Sequence, residues 1–110
     1  MSYQDKAQLA TFPPFVGRVQ VAMMKAAVDV AAEKPKQGEV YRLRRALAVN
    51  VLSDPAGFAA RFAWAVITNP VIELTSTDQD LQVTVNSVWN SIAGVPPEDP
   101  PSSGVSDDVS

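Results

Sequence analysis

The sequence predicts an all-α fold: a small bundle of four main helices, followed by an extended, Pro-rich acidic C-terminal arm. Apolar residues recur at three- and four-residue spacing in four separate segments, the period of an amphipathic helix. Prolines and polar cap residues fall between those segments, and the connections are short, as in a helical bundle. Residues 96–110 read PPEDPPSSGVSDDVS, a composition that cannot build a core. The chain therefore divides into a helical body, 1–95, and a tail, 96–110, with no internal repeat.

The first helix is predicted from about Pro14 to Glu33. Phe15, Val19, Ala22, Met23, Ala26 and Val30 make one stripe, with Arg18, Lys25, Asp29 and Glu33 opposite. Lys25 and Asp29, four apart, have the spacing of a weak ion pair. Pro13 and Pro14 suit the first helical turn, and Pro35 stops the helix.

A second helix is predicted from about Gly38 to Leu52, with Val40, Leu43, Leu47 and Val51 as its stripe. Arg42, Arg44 and Arg45 crowd its first half, where the helix dipole does not favour cations. They gain little from their own helix and need another reason to be there.

The third has the clearest start: Asp54 as N-cap and Pro55 at the first helical position. Phe58, Phe62, Ala65 and Val66 form one stripe and Ala60, Trp64 and Ile67 a second. A short helix apolar on two faces is central to its bundle or covered by a partner. Asn69-Pro70 ends it.

Val71 to Thr75 reads as an extended connector anchored by Ile72 and Leu74. Thr77 followed by Asp80 has the form of a capping box with Asp in place of Glu. The last helix follows from about Asp78 to Ala93, with Leu81, Val85, Val88 and Ile92 as its stripe, Trp89 alongside, and Gly94 as its C-cap. Leu81 to Val85 alternates as a strand would, but the signals at both ends favour the helix. Its β-branched residues lower its intrinsic propensity, so it needs tertiary packing.

Composition excludes several functions. The chain has 110 residues, 46% of them hydrophobic, with no cysteine and no histidine. Disulfide scaffolds, thiol nucleophiles, Cys/His zinc sites and Ser-His-Asp triads are ruled out. Asp78 and Asp80 lie two apart, on different helix faces, and both suit a helix N-terminus. There is no Gly-rich phosphate loop and no nucleophile beside a base, so no enzyme, cofactor or small-molecule substrate is expected. The start, Met1 to Leu9, is polar and lacks the pattern of a secretory signal. The longest apolar stretch, Phe58 to Ile67, is interrupted by Arg61 and is shorter than the roughly 20 residues of a membrane span. A soluble product assembled in a cytoplasm is the expectation.

Two charged groups remain as candidate contact sites. The tail holds Glu98, Asp99, Asp107 and Asp108 and no Lys or Arg, so it carries the acidity. The body has nine Lys and Arg against eight Asp and Glu and is close to neutral. Arg42, Arg44, Arg45 and Arg61 are candidates for pairing with a partner's carboxylates, or with the tail of a neighbouring copy. The bland alternative is a solvated helix face with local ion pairs beside a solubilising tail. The aromatic set of Phe58, Phe62, Trp64 and Trp89 reads first as core, with one tryptophan available at the surface as an interface anchor.

Across about Phe12 to Gly94 the chain resembles small virion proteins encoded among the head genes of tailed bacteriophages. The resemblance is carried by FVGRVQVAMMKAAVDVAAE, YRLRRALAVNVLSDP, FAARFAWAVITNP and DLQVTVNSVWNSIAG. The tail from Pro96 has no counterpart in it. Within that group, four helices and a terminal arm look most like the head–tail connector adaptors. The resemblance implies a structural subunit without catalytic residues, located in the virion and assembled in the host cytoplasm. It further implies a ring of copies, a dodecamer, beneath the portal, with the portal and neck or tail proteins as partners and arms that reach neighbouring subunits.

A capsid decoration protein bound to the major capsid protein is the nearest alternative. A small DNA-binding regulator is a more distant one. The turn at Leu52 to Pro55 has the look of a helix-turn-helix, but the following helix offers only Arg61 to a phosphate. Its apolar surface is unlike that of a recognition helix, and a gel shift with duplex DNA tests this reading.

Overall fold

The computed structural model describes residues 3–69, 72–73 and 75–96. The described residues form five helices and no strand: α1 (Tyr3–Leu9), α2 (Pro13–Ala31), α3 (Glu39–Ser53), α4 (Pro55–Ile67) and α5 (Asp78–Ala93). The all-α prediction holds, and α5 has the predicted limits. Leu74 and the tail from Pro97 onward, with all four of its acids, lie outside the described residues.

The long helix α2 is the centre of the fold, in contact with α3, α4 and α5. Its predicted stripe is its buried face: Phe15, Val19, Ala22, Met23, Ala26 and Val30 are all 5% exposed or less. Pro13 and Pro14 occupy the first helical positions, where a missing N–H costs nothing. Helix α3 buries Leu47, Ala48 and Val51. Val40, predicted in that stripe, is 44% exposed. It sits in the first turn, beyond the reach of the α2 surface that covers the later turns.

Helix α4 departs further from expectation. Its buried face is Ala59, Ala63, Val66 and Ile67, a line that runs between the two predicted stripes. Phe58 and Phe62 pack at the edge of the core, and Trp64 is 37% exposed. Two alanines on the buried face let the helix axis approach its neighbour closely, which pushes the aromatic rings to the flanks. Asp54 Oδ1 accepts the Gly57 N–H at 3.1 Å, as its N-cap role predicts.

The start of α5 is the predicted capping box. Thr77 Oγ1 accepts from the Asp80 N–H at 3.1 Å, and Asp80 Oδ2 accepts from the Thr77 N–H at 3.0 Å. Its buried residues are Leu81, Thr84, Val85 and Trp89. At its end Gly94 takes a left-handed conformation, φ 83°, and the Val95 N–H reaches back to Asn90 O at 2.9 Å. That bond closes a Schellman turn. Ile72 in the preceding connector is fully buried, as predicted.

The sequence reading contains no helix at α1. With only seven residues, it is too short to be stable as an isolated helix. It is held by burial of Leu9 and Ala10 and by packing on α4, where Lys6 Nζ donates to Asn69 O at 3.3 Å.

The pairing of α2 with α5 positions everything that follows. Arg18 binds Asp78 at 2.8 Å, and Gln82 Nε2 donates to Ala22 O at 2.9 Å. Ala26 and Asn86 line one small cavity. Each pairing has a sequence offset of sixty, so the two helices run parallel and in register. Their C-terminal ends emerge at the same end of the bundle.

Candidate functional site

That common end carries most of the body's positive charge. Five of the nine Lys and Arg side chains fall between Lys34 and Arg45. The loop after α2 and the first turns of α3 enclose a cleft of about 690 Å³, lined by Lys34, Lys36, Gly38, Val40, Tyr41 and Arg44, among others. Gly38 makes the loop possible. Its φ of 120° and ψ of 160° belong to a region that only glycine occupies readily.

The three arginines of α3 have three different environments. Arg44 reaches across to the loop that follows α2 and to α5. Its Nε and Nη2 meet the two carboxylate oxygens of Glu33 at 3.3 and 2.6 Å, a fork-to-fork pairing. Its Nη1 donates to Asn90 Oδ1 at 2.6 Å, and its backbone carbonyl accepts the buried Trp89 indole N–H at 3.2 Å. The side chain is 23% exposed. Arg44 therefore ties α3 to the end of α2 and to α5, which answers why an arginine stands where the helix dipole does not ask for one.

Arg42 is out in solvent, 66% exposed, with Glu39 one turn earlier at 2.7 Å. Such an exposed pair contributes little to stability. Arg45 is half-buried over the Tyr41 ring, 5.6 Å from its centroid, and its Nη1 approaches the Tyr41 hydroxyl at 3.3 Å. The Tyr41 hydroxyl in turn donates to Glu33 O at 3.0 Å.

Arg61 stands apart on α4, its guanidinium 4.5 Å from the centroid of the Phe58 ring. The structure thus brings Arg42, Arg44 and Arg45 to one end of the bundle and leaves Arg61 outside that group.

A second surface is apolar. On α2, Val21, Met24 and Val28 recur at helical spacing and are 53%, 37% and 56% exposed. On α3, Val49 and Leu52 are 60% and 42% exposed. Met24, Val28 and Leu52 line one shallow groove with Lys25 and Asp29. The outer edge of the α2–α3 packing therefore leaves a shallow apolar groove open to solvent. The ion pairs among the described residues are Arg18–Asp78, Arg42–Glu39 and Arg44–Glu33; the expected Lys25–Asp29 pair is not among them.

Sequence reasoning missed the basic loop and the apolar groove. The first was visible in the sequence as Lys34 and Lys36, shortly before the arginines of α3. The second follows from Val21, Met24 and Val28, which share a helix face the single-stripe reading left unassigned. Asp78 and Asp80 serve Arg18 and the capping box. Arg18 also donates to the Ser76 carbonyl, fixing the connector against α2.

Among the described residues no group of His, Cys, Asp and Glu side chains is arranged to hold a metal ion, and no helix is long and apolar enough to cross a membrane. Comparison of the chain with known protein families, with curated proteins and with solved structures finds no match.

Proposed function

We propose that this chain is a virion structural protein of a tailed bacteriophage, a head–tail connector subunit that packs side by side with its copies in a ring beneath the portal. The observation that supports a protein-packing role is the exposed apolar groove formed by Met24 and Val28 on α2 with Leu52 on α3. Exposed apolar side chains gathered on one face mark a surface that another protein covers. In a ring such a face meets a different face of the next subunit, and the contact repeats until the ring closes.

The charged groups fit the same role. Arg42 and Arg61 are exposed, and in this reading they pair with carboxylates of the portal or of a neighbour. Asp107 and Asp108, at the far end of the tail, have the length of chain to reach an adjacent subunit. Arg44, held by Glu33 and Asn90, acts by keeping α3 in place for those contacts. The action is passive: the protein joins two assemblies and performs no chemistry.

The test is the copy number per purified particle, by quantitative mass spectrometry against the major capsid protein. About a dozen copies is the expected result for a closed ring. Hundreds would make the chain a decoration protein bound to the capsid lattice, and none would remove the virion reading.

A further inference from the structure

We infer that the cleft between the end of α2 and the start of α3 is the docking site of this chain's own acidic proline segment, Pro96 to Pro101. This docking does not depend on the chain's being a virion component. The position of the tail carries it first. Helices α2 and α5 run parallel at an offset of sixty residues, which brings Gly94 to Pro96 level with the loop that holds Lys34 and Lys36. Asn90, in the last turn of α5, already touches Arg44 on the cleft wall. Glu98 and Asp99 follow Val95 by three and four residues, a reach of about 10–14 Å. That length of chain is enough to cross to a neighbouring helix, roughly 8–10 Å away.

Charge and shape agree with that placement. The cleft offers Lys34 and Lys36, and among the described residues neither has an ion pair. The segment offers two adjacent carboxylates with no counter-charge of their own. Val40 and Tyr41 give the cleft an apolar wall. Proline-rich segments settle against aromatic side chains of that kind, because their restricted backbone loses little entropy on binding. Here two prolines stand on each side of the Glu98-Asp99 pair. The cleft volume of about 690 Å³ lies within the roughly 300–1,000 Å³ of sites that hold compact ligands.

In this arrangement Glu98 and Asp99 pair with Lys34 and Lys36, and the flanking prolines rest on Tyr41 and Val40. The distal acids Asp107 and Asp108 stay clear of the cleft. The tail leaves the body from a fixed point and in a fixed direction.

The test compares amide spectra of the full-length, 15N-labelled protein with those of the Glu98→Lys/Asp99→Lys variant and of a Asp107→Lys/Asp108→Lys control. The inference expects the Lys34, Lys36 and Tyr41 amides and the Arg44 Nε resonance to shift in the first variant and stay put in the control. The same resonances should move when salt is raised to about 1 M, where the pairing is screened. Adding Lys34→Glu/Lys36→Glu to the first variant should return the Tyr41 amide and Arg44 Nε resonances toward wild type, since the charges are then exchanged. Unchanged Lys34, Lys36, Tyr41 and Arg44 resonances in the first variant would overturn the docking. So would shifts that fade on tenfold dilution, which would assign the cleft to the tail of a second copy.

Discussion

Arg44 is the side chain on which the geometry makes its sharpest energetic demand. Replacing it with Met keeps a similar stem and removes the guanidinium. The pair with Glu33 is partly exposed, at 23% and 39% side-chain exposure, so its worth is near 0.5–1 kcal/mol. The bond to Asn90 Oδ1 is short and charge-assisted, worth about 1.5 kcal/mol at the lower end of its class. Glu33 and Asn90 are both half-buried, and water can reach them once the arginine is gone. The large penalty of about 3–5 kcal/mol for stranding a fully buried charge therefore does not apply.

The expected loss for Arg44→Met is about 2 kcal/mol, from the pair and the Asn90 bond together. In urea unfolding followed by tryptophan fluorescence this lowers the midpoint by roughly 1–2 M. In thermal unfolding it lowers Tm by roughly 10 °C. A double-mutant cycle with Asn90→Ala should return a coupling of about 1 kcal/mol. A loss under about 0.5 kcal/mol, or no coupling, would refute the reading of Arg44 as a tie between helices. If such a variant also failed to assemble, the arginine would be a contact residue instead.

Other substitutions follow from the same structure. Gly38→Ala should destabilise by about 1–3 kcal/mol because φ 120° is barred to a Cβ, whereas Gly17→Ala, in an open position on α2, should stabilise by about 0.5–1 kcal/mol; chemical denaturation of the pair reads both signs. Trp89→Ala should cost about 3–5 kcal/mol, since the indole is 1% exposed and donates to Arg44 O. Trp64→Ala should cost about 1 kcal/mol or less by the same assay, and equal losses at the two tryptophans would contradict the burial described here. Val28→Glu should leave folding within about 0.5 kcal/mol of wild type while abolishing self-association in sedimentation velocity. Unchanged association would take the α2–α3 groove out of any ring contact.

Local chemistry decided most of what the sequence made legible. Asp54 before Pro55, Thr77 with Asp80, and Gly94 after Ala93 each mark a helix end through backbone groups a few residues away. Such signals survive without knowledge of the fold, and the limits of α5 came out as predicted. The face of α2 was equally plain, because a long helix in the middle of a bundle repeats its pattern over five turns.

Short elements were less readable. In α1 seven residues carry too few apolar positions to show a period, and only contact with α4 holds them. In α4 both the aromatic stripe and the alanine-lined face were apolar in sequence. Hydrophobicity favoured the rings as core, and close approach between helices selected the alanines.

The same division separates the charges. The sequence by itself determined an all-α body, the helix caps, the acidic character of the tail and the crowding of arginines on α3. It could not say which arginine does what, since Arg42, Arg44 and Arg45 differ only by rotations of about 100° per residue around one helix. The tertiary structure decided that Arg44 binds Glu33 and Asn90, that Arg45 lies over Tyr41, and that Arg42 stays in solvent. Those partners come from segments up to 46 residues away, and only the parallel packing of α5 on α2 brings them, and the root of the tail, to one end of the molecule.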